Sequence, residues 1–310
     1  MATIEVRGLC KWYGSINAVK DISFSVDEGE IVGFLGPNGA GKTTTMNIIT
    51  GYISSSEGSV TIGGYNILEQ PSRAKAQIGY LPENPPLYPD MTVDEYLSFI
   101  YELKGCLLPK EEHISEVCSL AGVEKVRRRL IKNLSKGYRQ RVGIAQALVC
   151  SPPVLILDEP TVGLDPNQIV EIRSLIKKLG EKHTIILSTH ILSEVQTVCD
   201  RVIVLSRGQL VADNTTKELH KSVSDGESLN VRIAGPERQI YDLLLSIDGV
   251  SKVQRRGEAE KGVFEFDIVT KLGKDVRRKV FNLMCAKNWA ILQMKPSQLD
   301  LEDIFATLTV

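Results

Sequence analysis

The chain has 310 residues, 43% apolar and 24% charged, which is typical of a globular protein with room for one large domain or two smaller ones. Its formal net charge of −1 argues against a protein that follows nucleic-acid phosphates over a wide surface, because such surfaces show a strong basic excess. No apolar run approaches the length needed to cross a bilayer, and the first residues lack the apolar core of a signal peptide. We therefore expect a soluble, cytoplasmic protein that does not bind nucleic acid.

The six cysteines are scattered along the chain, and no two of them have the spacing of metal ligands. This pattern gives little support to a zinc site or to a disulfide framework. A reducing compartment fits it best.

The first part of the chain combines an alternating segment with a short apolar run. Ile22, Phe24 and Val26 alternate with polar residues, which predicts an antiparallel strand beside a parallel core. Residues 30–35 are typical of a short buried strand. Residues 43–50, followed by a glycine, predict a helix with a glycine stop.

The sequence GPNGAGKT, residues 36–43, lies between this strand and this helix and has two glycines around four free positions before Lys and Thr. Backbone N–H groups surround phosphates where no Cβ is in the way, so the loop predicts a site for a nucleotide triphosphate. Lys42 is expected to reach the β and γ phosphates, and the Thr43 hydroxyl to bind Mg²⁺. The residues assigned to ATP here are Gly36, Pro37, Asn38, Gly39, Ala40, Gly41, Lys42, Thr43 and Thr44. The alternative is a glycine-rich turn that only joins strand to helix.

Residues 154–159, VLILDE, form an apolar run that ends in two carboxylates, as in a buried strand that brings acids to a sheet edge. Adjacent strand residues face opposite sides, so Asp158 is expected to hold Mg²⁺ while Glu159 turns toward the water that attacks the γ-phosphate. We assign Glu159 to catalysis together with Lys42. The alternative is a strand followed by a polar turn.

His190 follows a second apolar run, residues 184–189, which predicts another strand of the same parallel sheet. Ligands of open α/β sheets collect at the carboxyl ends of the strands, so His190 is also assigned to catalysis. A neutral imidazole is expected to donate to the γ-phosphate and to steer the water or Glu159. The alternative is a histidine that makes only structural hydrogen bonds.

A mostly helical region follows the glycine loop in the sequence. Residues 92–129 are mostly helical, with Tyr96, Phe99, Ile100 and Leu103 spaced for one apolar face.

A separate unit begins after the polar stretch at residues 221–226. Its apolar spacing predicts the order β-α-β-β-α-β, with a hairpin turn across residues 257–262 and a last short helix at 299–308. This order resembles a ferredoxin-like module. The unit carries no catalytic constellation, so we expect a regulatory or dimer-supporting domain.

With the sequence LSKGYRQR at residues 134–141 added, these motifs resemble the nucleotide-binding subunit of ATP-binding cassette (ABC) transporters, from residue 3 to about 220. The signature of that family is normally Leu-Ser-Gly-Gly-Gln. Ser135 and Gly137 match it, whereas Lys136 and Tyr138 depart from it. The resemblance implies that the Ser135 hydroxyl and the Gly137 N–H contact a phosphate bound by the opposite subunit, at a helix N-terminus.

The resemblance also implies the fold class and the domains. We expect an α/β P-loop NTPase cassette over residues 1–220, with antiparallel flanking strands and a helical subdomain at about 90–150. A small α+β ferredoxin-like domain would follow at residues 221–310.

Three more residues receive roles from the resemblance. Tyr13 matches the aromatic residue that stacks on adenine, and Asp165 lies in the loop that touches the partner's phosphate site. Asp165 precedes Pro166, so the alternative for it is a helix cap. Glu83 stands where the family commonly has Gln, and we expect it to contact Mg²⁺ as a carboxylate ligand together with Thr43 and Asp158.

The function implied is that of an ATP-hydrolysing subunit that dimerises around two ATP molecules, with Mg²⁺, and drives a separate multi-span membrane subunit. Its partner cassette is a second copy or a similar chain, and its place is peripheral, on the inner face of the cell membrane. The Glu83 form, the Lys-Gly-Tyr signature and the C-terminal extension resemble the bacterial exporter branch that includes gliding-motility, sodium-extrusion and drug-efflux ATPases. Two alternatives remain: a soluble ABC ATPase acting on nucleic acid or ribosomes, and a nucleotide sensor that does not hydrolyse ATP.

Overall fold

The computed structural model describes residues 2–215, 218, 228–271 and 274–297. Contacts divide the chain into two compact units, Met1–Thr216 and Lys217–Leu308. The boundary predicted after residue 220 lies among residues outside the described ranges. Within those ranges, no helix has both the length and the hydropathy needed to cross a membrane.

The first unit contains a four-stranded antiparallel sheet. Its strands, in spatial order, are β2 (Ile16–Asp27), β1 (Ala2–Tyr13), β4 (Glu57–Ile62) and β5 (Tyr65–Asn66). Ile22, Phe24 and Val26 of β2 are buried, and the residues between them are more exposed. The predicted antiparallel strand with one buried face is therefore confirmed.

A second, mostly parallel sheet forms the centre of the same unit. Its strands, in spatial order, are β10 (Gln209–Thr215), β9 (Arg201–Ser206), β3 (Ile31–Leu35), β8 (Thr184–Thr189), β7 (Val154–Asp158) and β6 (Ile78–Leu81). All are parallel except β10, which pairs antiparallel with β9 at the edge. β3, β7 and β8 are buried along their whole length, which explains why their sequences are continuous apolar runs. The carboxyl ends of the parallel strands meet at one edge of the sheet.

Seven α-helices are described in this unit. They are α1 (Lys42–Ile49), α2 (Pro71–Ala76), α3 (Val93–Leu103), α4 (Lys110–Ala121), α5 (Lys136–Leu148), α6 (Pro166–Leu179) and α7 (Leu192–Val198). α3, α4 and α5 pack together, in the range where the sequence predicts the helical subdomain.

The apolar face predicted for α3 is only half right. Tyr96 and Ile100 are buried, but Phe99 is 37% exposed and Leu103 is 69% exposed. Leu97 is fully buried instead, because the buried stripe is rotated about the helix axis relative to the predicted one. Phe99 and Leu103 therefore remain on the surface of the helical subdomain.

The second unit has the element order that the sequence predicts. Its elements are β11 (Ser228–Ala234), α8 (Glu237–Leu245), β12 (Val250–Glu260), β13 (Val263–Thr270), α9 (Arg277–Ala286) and β14 (Ile291–Ser297). The strands form one antiparallel sheet in the order β12-β13-β11-β14, as in a ferredoxin-like fold. Apolar side chains of the sheet and of both helices form one buried core.

The hairpin of this unit is tighter than predicted. β12 continues to Glu260 and β13 begins at Val263, so Gly257 lies inside a strand and the turn is confined to two residues. The polar stretch at residues 221–226 and the helix predicted at 299–308 lie outside the described residues.

Candidate nucleotide site

The glycine loop lies at the carboxyl end of β3 and runs directly into α1, as the sequence predicts. Two of its glycines are required by the backbone. Gly41 has φ +102°, and a Cβ there would lie 2.7 Å from the Ala18 carbonyl oxygen. A Cβ on Gly36 would lie 2.6 Å from the Leu205 carbonyl oxygen. The loop conformation therefore needs glycine at both positions, independently of any ligand.

Lys42 is buried at the start of α1, with 6% of its surface exposed. Its Nζ donates hydrogen bonds to the carbonyl oxygens of Gly36 at 2.7 Å and of Pro37 at 3.4 Å. The same Nζ lies 3.7 Å from Oε1 of Glu159. A buried ammonium is costly without compensation, and here two carbonyls and a carboxylate supply it.

Asp158 is the last residue of β7 and is 1% exposed. Burial raises the pKa of its carboxyl group above the ordinary value, and the negative charge of Glu83 adds to this rise. Hydrogen bonds from the Ser188 and Thr43 hydroxyls and the positive charge of Lys42 oppose the rise. The carboxylates of Asp158 and Glu83 and the Thr43 hydroxyl are thus neighbours. Oxygen ligands in this number are what Mg²⁺ uses when phosphates and waters complete its shell, so the residues present fit the ion.

Glu159 does not continue the strand. β7 ends at Asp158, and Glu159 has φ +48°, in the left-handed region that non-glycine residues rarely adopt. Its N–H donates to the carbonyl oxygen and to Oγ of Ser188, both at 3.1 Å, which holds the turn. The expectation that strand alternation separates the two carboxylates is therefore wrong. A turn with a strained residue sets the direction of the Glu159 side chain.

His190 follows β8 directly, at the predicted strand end. Its Nδ1 lies 2.9 Å from Oε2 and 3.1 Å from Oε1 of Glu159. The Glu159 side chain is 8% exposed and the His190 side chain 44% exposed. If Nδ1 donates to the carboxylate, Nε2 of a neutral ring is an acceptor, and only a protonated ring donates from both nitrogens. The expectation that a neutral His190 donates to the γ-phosphate stays a prediction.

Lys42, Glu159 and His190 meet at one cavity of about 520 Å³, and Asp158 lines a neighbouring one. The cavity is lined by Tyr13, Ala18, residues 38–44, Glu83, Glu159, Val162 and His190. Tyr13 ends β1 and is 49% exposed, and Nζ of Lys11 lies 5.3 Å from its ring centroid. The structure thus brings the predicted aromatic, the glycine loop and the predicted catalytic residues to a single opening.

The signature residues and Asp165 lie elsewhere. Ser135 caps α5 by accepting the N–H of Tyr138 at 3.3 Å, and Asp165 caps α6 by accepting the N–H of Gln168 at 3.0 Å. Neither residue lines the cavity, and Gly137 does not line it either. A Cβ on Gly137 would lie 2.6 Å from the Gln168 side chain, so the starts of α5 and α6 pack closely. The helix cap considered for Asp165 is therefore present.

The sequence of this chain is similar to proteins of one family over nearly its whole length. A model of the ABC transporter family matches residues 19–162. The uncharacterized ABC transporter ATP-binding protein YhcH of Bacillus subtilis (strain 168) is 34% identical, over 99% of this chain and 95% of the relative. The chain belongs to the family of ABC transporter ATP-binding subunits. The resemblance inferred from the motifs is thus confirmed.

Two more proteins show what this ABC subunit resembles. The linearmycin resistance ATP-binding protein LnrL of B. subtilis (strain 168) is 31% identical, over 99% of this chain and 98% of the relative. The dimeric structure of MJ0796, a bacterial ABC transporter cassette, has a TM-score of 0.62 at 29% identity, over 68% of this chain and 98% of that chain. The predicted cassette fold is therefore confirmed.

A second cavity of the ABC subunit, about 710 Å³, borders the nucleotide cavity, since Thr43 and Glu83 line both. Its other lining residues are Asn47, Thr50, Tyr52, Lys75, Ile78, Tyr80, Pro82, Asn84, Pro86, Lys104, Gln146 and Asp158. It lies where α1 and β6 face the helical subdomain.

Sequence reasoning missed Ser188. Its hydroxyl donates to Asp158 and accepts the N–H of Glu159, so it links both carboxylate residues to β8. The available signal was a hydroxyl residue inside an otherwise apolar run two positions before His190.

Proposed function

We propose that this chain is the ATP-hydrolysing subunit of an ABC exporter, in which two cassettes enclose two ATP molecules and drive a separate membrane subunit. The observation that carries the proposal is the meeting of Lys42, Glu159 and His190 at one cavity, beside the Asp158 carboxylate. Neither a glycine-rich turn nor a structural histidine explains why these groups converge there.

In this proposal the phosphates of ATP lie along the N–H groups of residues 36–44, and the adenine stacks on Tyr13. Lys42 exchanges its carbonyl contacts for phosphate oxygens, which carry more negative charge. Thr43, Asp158 and Glu83 would hold Mg²⁺, and the ion would supply positive charge to the phosphates.

Hydrolysis needs a water in line with the γ-phosphorus and a base to take its proton. Glu159 is that base: a water hydrogen-bonded to its carboxylate attacks the γ-phosphorus, the proton passes to Glu159, and the bond to the ADP oxygen breaks to leave ADP and phosphate. His190 holds the Glu159 carboxylate through Nδ1, at 2.9 Å. The other ring nitrogen of His190, Nε2, contacts the γ-phosphate in this proposal.

Ser135, Gly137 and Asp165 do not line the cavity of their own chain, which supports a role at the site of a second cassette. Ser135 and Gly137 lie at the N-terminus of α5, where N–H groups favour a phosphate. MJ0796 is described as dimeric at 29% identity, which also supports a dimer. We propose a homodimer, or a heterodimer with a similar cassette.

The membrane subunit is proposed to place a cytoplasmic helix in the second cavity, which keeps the chain at the inner face of the cell membrane. Tyr52, which is 79% exposed, supplies apolar surface to this cavity, and Leu103, 69% exposed, immediately precedes its lining residue Lys104. Export is supported by the similarity to LnrL, whose name is linearmycin resistance ATP-binding protein. The second unit is proposed to regulate the cassette or to support the dimer.

The test compares the purified full-length wild type with Glu159→Gln in Mg²⁺ and ATP. The variant should bind ATP and dimerise normally, while phosphate release falls about 100- to 10,000-fold, because the amide cannot take a proton. The exposed Glu181→Gln serves as the matched control and should keep wild-type turnover.

Undiminished turnover in Glu159→Gln would overturn the assignment of the base, and an inactive wild type would favour the nucleotide sensor. Co-purification of the tagged chain with a multi-span membrane protein is expected. Recovery with ribosomes or nucleic acid instead would favour the soluble ABC ATPase.

A further inference from the structure

Besides Asp158 and Glu159, a third carboxylate is buried close to the site, and it does not line the nucleotide cavity. Glu194, in α7, is 1% exposed. Its Oε1 accepts a hydrogen bond from the Thr161 hydroxyl at 2.6 Å, and its Oε2 accepts one from the Thr189 hydroxyl at 2.7 Å. Each carboxylate oxygen thus binds a different segment of the chain.

The two threonines adjoin the residues proposed for hydrolysis. Thr161 lies two residues after Glu159, and Thr189 immediately precedes His190. Thr189 Oγ1 also accepts the N–H of Ile191 at 3.0 Å, which fixes the turn after β8. The Glu194 carboxylate therefore connects the turn that carries Glu159 with the turn that carries His190.

A third segment joins the same carboxylate. Nη2 of Arg173, in α6, lies 3.5 Å from Oε1 of Glu194 and donates to the Ser193 hydroxyl at 3.3 Å. Nε of Arg173 is buried and has no hydrogen-bond partner among the described residues. α6 follows the cap residue Asp165, so through Arg173 the Glu194 carboxylate also contacts the helix that comes after the Glu159 turn.

Burying the Glu194 carboxylate costs free energy of desolvation. A buried charged pair contributes less stability than apolar side chains of the same volume in many proteins, so a carboxylate at this position is best explained by its geometry. Two oxygens at fixed separation set the distance between two hydroxyls, and hence between the two turns. The His190–Glu159 contact depends on that distance.

We propose that Glu194 is a positioning residue for ATP hydrolysis, which holds the Glu159 turn, the His190 turn and α6 in the one arrangement where Nδ1 of His190 meets the Glu159 carboxylate. The inference rests on the proposed function. Glu194 touches neither the nucleotide cavity nor the reacting atoms, so its effect passes through Thr161 and Thr189.

The experiment measures kcat, KM and the dissociation constant of ATP for the full-length chain. Glu194→Ala should lower kcat about 10- to 100-fold, because small misplacements of reacting groups are costly, while ATP affinity changes less than about twofold. Glu194→Gln, which keeps the shape and one acceptor oxygen, should restore part of kcat. Thr161→Val combined with Thr189→Val should reproduce the loss, and adding Glu194→Ala to that pair should lower kcat no further.

The matched control is Asp213→Asn. Arg201 donates to both carboxylate oxygens of Asp213, at 2.5 and 2.6 Å. Arg201 is the first residue of β9, so this pair lies at the amino ends of the parallel strands, whereas the nucleotide cavity lies at their carboxyl ends. This variant also loses a charged pair and should unfold at a lower temperature, but its kcat below the transition should equal that of the wild type.

The outcomes distinguish the positioning role of Glu194 from the proposed function. An active wild type with an equally active, folded Glu194→Ala variant overturns the inference alone, and so does a loss of kcat in Asp213→Asn that matches the loss in Glu194→Ala. A wild type that binds ATP without hydrolysing it overturns the proposed function and, with it, the positioning role.

Discussion

Lys42 and Glu159 in the first unit are buried charged side chains that line an open cavity of about 520 Å³, whereas both carboxylate oxygens of the buried Asp267 in the second unit accept hydrogen bonds. Nδ2 of Asn230 donates to Oδ1 of Asp267 at 2.8 Å, and Nε of Arg256 donates to Oδ2 at 2.5 Å. Burial of charge is thus common to both units. What distinguishes the candidate site is that its buried charges face an opening that a ligand can fill.

The largest effect expected from this comparison is on Lys42. Replacing it with Ala removes a charge-assisted hydrogen bond to phosphate, which is worth about 1.5–3 kcal/mol, so the dissociation constant of ATP should rise about 10- to 150-fold. Titration with a fluorescent ATP analogue measures this constant. Lys177→Ala, on the exposed face of α6, is the control and should bind like the wild type. Equal affinities of the three proteins would mean that the buried ammonium is structural.

The second prediction concerns the closed network of the ferredoxin-like unit. Asp267→Asn leaves the shape but removes the charge that Arg256 pairs with, so the free energy of unfolding should fall by about 1–3 kcal/mol. ATP turnover at temperatures below the unfolding transition should not change. Denaturant unfolding and phosphate release measure the two quantities. A large loss of turnover with unchanged stability would show that this unit carries part of the site and would break the comparison.

The sequence predicted best those parts of the site that lie on continuous strands. Residues 184–189 form β8 as predicted and bring His190 to the sheet edge, because a fully buried strand must be apolar throughout. The orientation of Glu159 was not predictable, since a left-handed turn residue leaves no periodic pattern. The Glu194 contacts were equally hidden: Thr161 and Glu194 are 33 residues apart, and only the folded chain brings them together. The exposed Phe99 shows the same limit, because spacing alone does not determine which part of an apolar stripe is covered.

The smallest expected effect is on Glu83, the acidic residue in a position where the family commonly has Gln. In Glu83→Gln the proposed metal site loses one negative charge, so the Mg²⁺ concentration for half-maximal ATPase activity should rise about two- to fivefold, as for an exposed charge pair. The Glu83 charge also raises the pKa of Asp158, so its removal should lower that pKa. Because Mg²⁺ needs the ionised carboxylate, which exists above this pKa, the acid limb of Mg²⁺-dependent activity should move to lower pH. Glu28→Gln, in the exposed turn before β3, should change neither quantity. An unchanged Mg²⁺ requirement together with an unchanged acid limb would mean that Glu83 does not reach the metal.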